Sequence, residues 1–162
     1  MLKILYNYTT RSRRNNFLRG IQSIINNSSD NNYHILISIE NEHHDKKMHP
    51  IPVLYCPHEY KVNPNTPTTK VDAINRDVNE CEYEWDIIVN MSDDMVFVQK
   101  DFDKIIRENF VDSLDICLHL PDGNRSDLIT LAVMGREYYK RFNYILESDV
   151  PMKPICSTND LL

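Results

Sequence analysis

Three short apolar runs constrain this chain more than anything else in it. They are "LKILYNY" (Leu2–Tyr8), "YHILISIE" (Tyr33–Glu40) and "WDIIVNM" (Trp85–Met91). Each is rich in β-branched and aromatic residues, which reads as strand. The run in Tyr33–Glu40 is nearly continuous rather than alternating, so that strand is expected to be buried on both faces. A sheet covered on both faces needs helices on each side, and the intervening segments supply them. Phe17, Ile21, Ile24 and Ile25, with Leu18 beside them, fall at helical spacing, which predicts a helix from about Ser12 to Ile25. "KVDAINRDVNEC" sets Val71, Ile74 and Val78 on one face of a second helix. "DFDKIIRENF" reads as a short third helix, and "GREYYKRFNYI" starts a last one.

Shorter strands are expected at "IPVLYC" (Ile51–Cys56), "LDICLHL" and "DLITLAVM". The stretch "PHEYKVNPNTPTT", with its three prolines, reads as irregular. Strands and helices therefore alternate, and that order implies an α/β fold: a three-layer α/β/α sandwich around a mainly parallel central sheet. The 162 residues suit a single domain, 1–162, with an irregular tail at 147–162.

Composition excludes several roles. A net charge of −6 argues against a general nucleic-acid binder, because phosphate backbones demand a basic face. No apolar run approaches the roughly 18 residues that span a bilayer. "MLKILYNYTTRSRR" has a short apolar core with its positive charges mostly after it, unlike a secretory leader, so a cytoplasmic protein is expected. Cys56, Cys81, Cys117 and Cys156 show no CxxC pairing and are expected as reduced, mostly buried thiols. Only Gly20, Gly123 and Gly135 occur, so there is no GxGxxG and no Walker A loop.

The apolar run ending at Met91 closes on Ser92-Asp93-Asp94. In open α/β sheets, ligands bind outside the carboxyl ends of strands. Two adjacent carboxylates repel each other there unless a positive partner offsets them. Mg2+ or Mn2+ does so while keeping open positions for ligand phosphates. The competing reading is a solvated turn whose aspartates cap a loop or the helix near Asp101–Asp103. Elsewhere, His43, His44, Asp45 and His49 read as a solvated loop. Tyr138 and Phe142 read as core, Trp85 as packed under the sheet, and Asp86 as a cap where the strand begins.

"DIIVNMSDD" resembles the strand and acidic motif of GT-A glycosyltransferases of the family 2 type. In that family a DxD-like motif, often SDD or EDD, holds the metal and the diphosphate of a nucleotide-sugar donor. The resemblance implies Asp94 as the metal ligand, with Asp93 contacting the donor's ribose or sugar. It implies Thr9, Thr10 and Arg11 beside the base and ribose. Glu40 would recognise the base, with Glu42 or Asp45 as substitutes. "KVDAINRDV" would supply Lys70, Asn75 and Arg76. "HLPDGNRSDLITLAVMGREYY", in the segment from about residue 114, looks like an acceptor side, with His119 and Asp122 near the acceptor. The resemblance covers roughly residues 2 to 145. The chain ends sooner than such enzymes usually do, as a short or truncated member would, with Asp149 or Asp160 as candidates for their later ligand.

The implied activity is metal-dependent transfer of a sugar from a UDP- or GDP-sugar to a hydroxyl acceptor such as a carbohydrate. Asp94 with Mn2+ or Mg2+ would stabilise the departing diphosphate, aided by Arg11, Lys70 or Arg76. Asp122 or His119 would take the acceptor's proton. Two alternatives use the same residues: a non-catalytic nucleotide-sugar or carbohydrate binding domain of this fold, and a metal-dependent phosphoryl-transfer enzyme.

Overall fold

The computed structural model describes residues 1–10, 13–39, 53–55, 62–63, 66–67, 70–120 and 131–145. In chain order its elements are β1 (Ile4–Thr10), α1 (Arg14–Asn27), β2 (Tyr33–Ile39), β3 (Val53–Tyr55), β4 (Val62–Asn63), β5 (Thr66–Pro67), α2 (Lys70–Asn79), β6 (Ile87–Ser92), α3 (Phe102–Asn109), β7 (Cys117–Leu120), β8 (Leu131–Gly135) and α4 (Arg136–Lys140). Six strands form one open sheet in the order β3-β2-β1-β6-β8-β7. The four strands from β3 to β6 are parallel to one another, and β8 runs antiparallel to both its neighbours. The expected mixed α/β architecture, parallel at its centre and flanked by helices, is therefore what forms. β4 and β5 make a two-residue antiparallel pairing within the stretch that the prolines had marked as irregular.

β1 is central and buried along its whole length, as its apolar run requires. Strand alternation sends its side chains to two separate cores. Ile4, Tyr6 and Tyr8 pack with Phe17, Ile21 and Ile24 of α1 and with Phe102 and Ile106 of α3. Leu5 packs with Leu36 and Ile88 beneath Val71, Ile74 and Val78 of α2, together with Trp85, Tyr138 and Tyr139. Trp85 and Tyr138 thus lie in the core as expected. Phe142 does not: α4 ends at Lys140, and the ring is 37% exposed. Asp86 accepts a hydrogen bond from the Lys3 backbone N–H at 2.7 Å, fixing where β6 begins beside β1.

Arg107 on α3 makes the densest polar joint. Its guanidinium donates to Asp103 and Asp30 and to the carbonyls of Leu2 and Asn32, at 2.7–3.2 Å. Asp103 also accepts from the N–H and hydroxyl of Ser29. The helix is thereby tied to the start of β1 and to the turn before β2.

Cys117 is fully buried on β7 and disulfide-bonded, its partner lying outside the described residues, while Cys81 carries a free thiol. The expectation of reduced cysteines throughout is corrected here. Wide spacing along the chain says nothing about proximity once a sheet brings distant segments together.

Gly135 closes β8 against the backbone of Leu114. A Cβ there would stand 2.1 Å from the Leu114 carbonyl oxygen. Backbone cannot swing aside as a side-chain tip can. Gly135→Ala is expected to lower unfolding stability by about 2–3 kcal/mol, read as a lower midpoint in urea with an unchanged slope.

Candidate functional site

The chain changes direction across the sheet at β1. Its sequence neighbour β2 lies on one side and β6 on the other, and all three run in parallel. Such a switch point leaves a crevice at the carboxyl ends of the two diverging strands. Thr9 pairs with Ser92 in register, so Thr9, Thr10, Ser92, Asp93 and Asp94 all reach this one edge.

The two aspartates differ in environment. Asp93 is 5% exposed. Its carboxylate accepts from the Thr10 hydroxyl at 3.0 Å and lies 3.7 Å from the Arg13 guanidinium. Arg13 precedes α1, whose first turn holds no acidic residue, and the positive end of that helix dipole favours an anion beside it. Asp94 is exposed and accepts from the Ser92 hydroxyl. One carboxylate is thus anchored to the fold while the other faces solvent at the mouth of the crevice. Thr9 spends its hydroxyl on the Met91 carbonyl at 3.3 Å, stitching β1 to β6.

Tyr8 lies under the aspartates and was not singled out by sequence reasoning. Burial pushes its phenol well above the usual range, and the charges of Asp93 and Asp94 push it further. The phenol fits only because residue 20 is glycine: a Cβ there would stand 2.0 Å from the Tyr8 oxygen.

α2 contributes from the other face. Arg76 donates through Nε and a terminal nitrogen to Asp77 at 2.9 and 2.8 Å. Asp77 is 2% exposed and also accepts from Ser38, which pairs in register with Thr9. Asp77 therefore fixes Arg76 beside the carboxyl end of β2. The sequence offered a signal for this residue, a carboxylate directly after the Asn-Arg pair. Asn75 is drawn elsewhere: its side-chain oxygen accepts from the Ile145 backbone N–H at 2.9 Å, joining α2 to the chain after α4. Lys70 is the first residue of α2.

His119 sits on β7 opposite Ala132 of β8. Two strand spacings separate β7 from β6, roughly 10 Å, so His119 does not touch the aspartate pair. Arg11, Glu40 and Asp122 lie outside the described residues, as do Glu42, His43, His44, Asp45, His49, Asp149 and Asp160.

Among the described residues no three carboxylate, imidazole or thiol side chains gather as a closed metal cage. The paired carboxylates nonetheless fit Mg2+ or Mn2+ by donor chemistry. These ions take hard oxygen ligands and are commonly held by one or two carboxylates plus water and substrate phosphates. Nor, among the described residues, is any helix long and apolar enough to cross a membrane.

No family model and no curated protein matches the sequence. Among solved structures, the chain is similar to a mannosyltransferase from Pyrobaculum calidifontis in complex with GDP-Man and Mn2+. The TM-score is 0.72 at 12% identity, over 94% of this chain and 50% of that one. The fold is thus glycosyltransferase-like, and the chain spans half the length of the enzyme it matches.

Proposed function

We propose that this domain binds a nucleotide-sugar donor through a divalent cation at Asp94 and transfers the sugar to a hydroxyl acceptor. The observation that carries this reading is the pair of unlike aspartates at the switch point of a glycosyltransferase-like sheet. One is held by Thr10 and Arg13, and the other is open to solvent.

Asp94 would be the metal ligand, with Asp93 beside it oriented toward the donor's ribose or sugar. Thr9, Thr10 and Arg11 would line the nucleoside, and Glu40 would read the base. Lys70 and Arg76 would bring positive charge to the diphosphate, Arg76 already positioned by Asp77, while Asn75 would brace their helix. Mn2+ or Mg2+ held at Asp94 would supply Lewis-acid stabilisation of charge on the leaving diphosphate. Transfer breaks the bond between the sugar's anomeric carbon and the phosphate oxygen and forms one to the acceptor oxygen, whose proton goes to His119 or Asp122.

Differential thermal melting of the whole chain with GDP-Man, UDP-sugars and Mn2+ tests the reading. A Tm rise that needs both sugar nucleotide and Mn2+, followed by slow donor hydrolysis, is the expected result. Donor binding without any hydrolysis or transfer would instead identify a binding domain. Cleavage of phosphoesters with no response to sugar nucleotides would identify a phosphoryl-transfer enzyme.

A further inference from the structure

Cys117 begins β7, an edge strand, and its side chain is fully buried and disulfide-bonded. Three other cysteines could share the bond, and the sheet decides among them. Cys81 is free. Cys56 directly follows Tyr55, the last residue of β3. β3 and β7 are the two opposite edges of the six-stranded sheet, five strand spacings apart, or roughly 24 Å. Register widens the gap. Cys117 lies level with Met134, Ile88, Leu5 and His34, whereas Tyr55 pairs with Ile37, three residues and roughly 10 Å further along the strands. One residue past Tyr55 moves the chain by about 3.8 Å, and a disulfide needs its Cα atoms within about 7 Å. Cys56 therefore cannot make the bond. Cys156 meets the same demand. Ile145 packs in the same buried cluster as Cys117, with Met134, Tyr138 and Tyr139. Cys156 follows Ile145 by eleven residues, a reach of up to about 37 Å.

We infer that Cys117 and Cys156 form a redox-responsive staple, which ties the chain beyond α4 back to the edge of the sheet. Cys156 itself lies outside the described residues, and topology alone assigns it. The bond closes a loop of roughly forty residues that carries β8 and α4. Such a closure stabilises chiefly by narrowing the unfolded ensemble. Forming it takes the two thiols and a low-molecular-weight disulfide such as oxidised glutathione. Two successive exchanges make one S–S bond in the chain; the oxidant takes up two electrons and two protons and leaves as two small thiols. The reverse exchange opens the bond. Disulfides persist in oxidising surroundings and are lost where glutathione keeps thiols reduced, so the stability of this domain follows the thiol–disulfide balance around it. The aspartate edge is remote from the staple. Cys117 lies level with Ile88, five residues before Asp93 and roughly 16 Å from it along the strand. The staple therefore stands independently of the proposed transferase reading.

The test is a non-reducing tryptic map of the whole chain, after equilibration with oxidised glutathione and alkylation of the remaining thiols. Peptide 108–125 joined to 142–162 is expected, with Cys56 and Cys81 alkylated. Peptide 108–125 joined to 48–61, or four alkylated cysteines, would overturn the pairing. Melting then reads what the bond contributes. Dithiothreitol is expected to lower the parent's Tm by about 10 °C. Cys156→Ser is expected to start at that lower Tm and to ignore the reductant, while Cys56→Ser keeps the parent's response. A response to reductant that survives in Cys156→Ser, or a parent Tm indifferent to it, would overturn the staple.

Discussion

Asp94→Ala is expected to weaken Mn2+-dependent binding of GDP-Man by about 100-fold or more while leaving the melting temperature almost unchanged. The carboxylate is exposed and accepts from the Ser92 hydroxyl two residues back, so its loss opens no cavity. Substitutions at such sites usually shift stability by less than about 0.5 kcal/mol. Binding suffers because a donor diphosphate and the remaining carboxylate would then meet as like charges, with a cation held by one ligand fewer. Isothermal titration with and without Mn2+ separates the two effects. Asp93→Ala offers the contrast: it removes a buried acceptor from Thr10 and Arg13, so folding should weaken along with binding. If Asp94→Ala kept the parent's Mn2+-dependent affinity, the metal assignment would be wrong.

Arg107→Ala carries the largest expected cost in stability, about 3–5 kcal/mol, the usual range for removing one partner of a buried ion pair. The substitution strands Asp103, which is fully buried, along with part-buried Asp30 and two backbone carbonyls. The same joint has a pH signature. Burial alone would raise the Asp103 carboxyl. The hydrogen bonds from Ser29 and Arg107, with the charge of Arg107, outweigh that and hold it below the usual carboxylate range. A carboxyl lowered in the folded state stabilises fully above its unfolded value, about pH 4. That contribution disappears as pH falls further, through the folded value. Chemical denaturation from pH 6 down to pH 2 should therefore show a steep acid limb in the parent and a flatter one in Asp103→Asn. Equal slopes would mean that Asp103 titrates normally.

Much of this architecture was legible because backbone burial dictates composition. The run Ile4–Tyr8 had to be a central strand, since nothing else shelters so many apolar neighbours, and the spacing of Phe17, Ile21 and Ile24 could only face a sheet. Boundaries slipped where polar residues continue a strand: Thr9 and Thr10 extend β1, and Ser92 extends β6, because each has a neighbouring strand to pair with. The aspartate pair was legible as like charges placed where a parallel strand ends. Its division into an anchored and an open member was not, because that depends on Thr10 and Arg13, which approach Asp93 only through the fold. Tyr8 was invisible for the same reason, since it looked like one more apolar residue; Asp77 had a local signal in the Asn-Arg pair before it, but its partner Ser38 reaches it only through the fold. Phe142 obeyed helical spacing, but α4 stops two residues short of it.

β1 precedes the other strands of its sheet in the chain and yet sits between β2 and β6. On the ribosome its partner on one flank emerges within a few dozen residues, while the other flank waits for residues 87–92. Until then a bare edge of apolar backbone faces solvent or a chaperone, the condition under which nascent strands pair with the wrong chain. Overexpression at high temperature should therefore deposit this protein in inclusion bodies more readily than its finished form would suggest. Slower elongation is the remedy that the strand order itself prescribes.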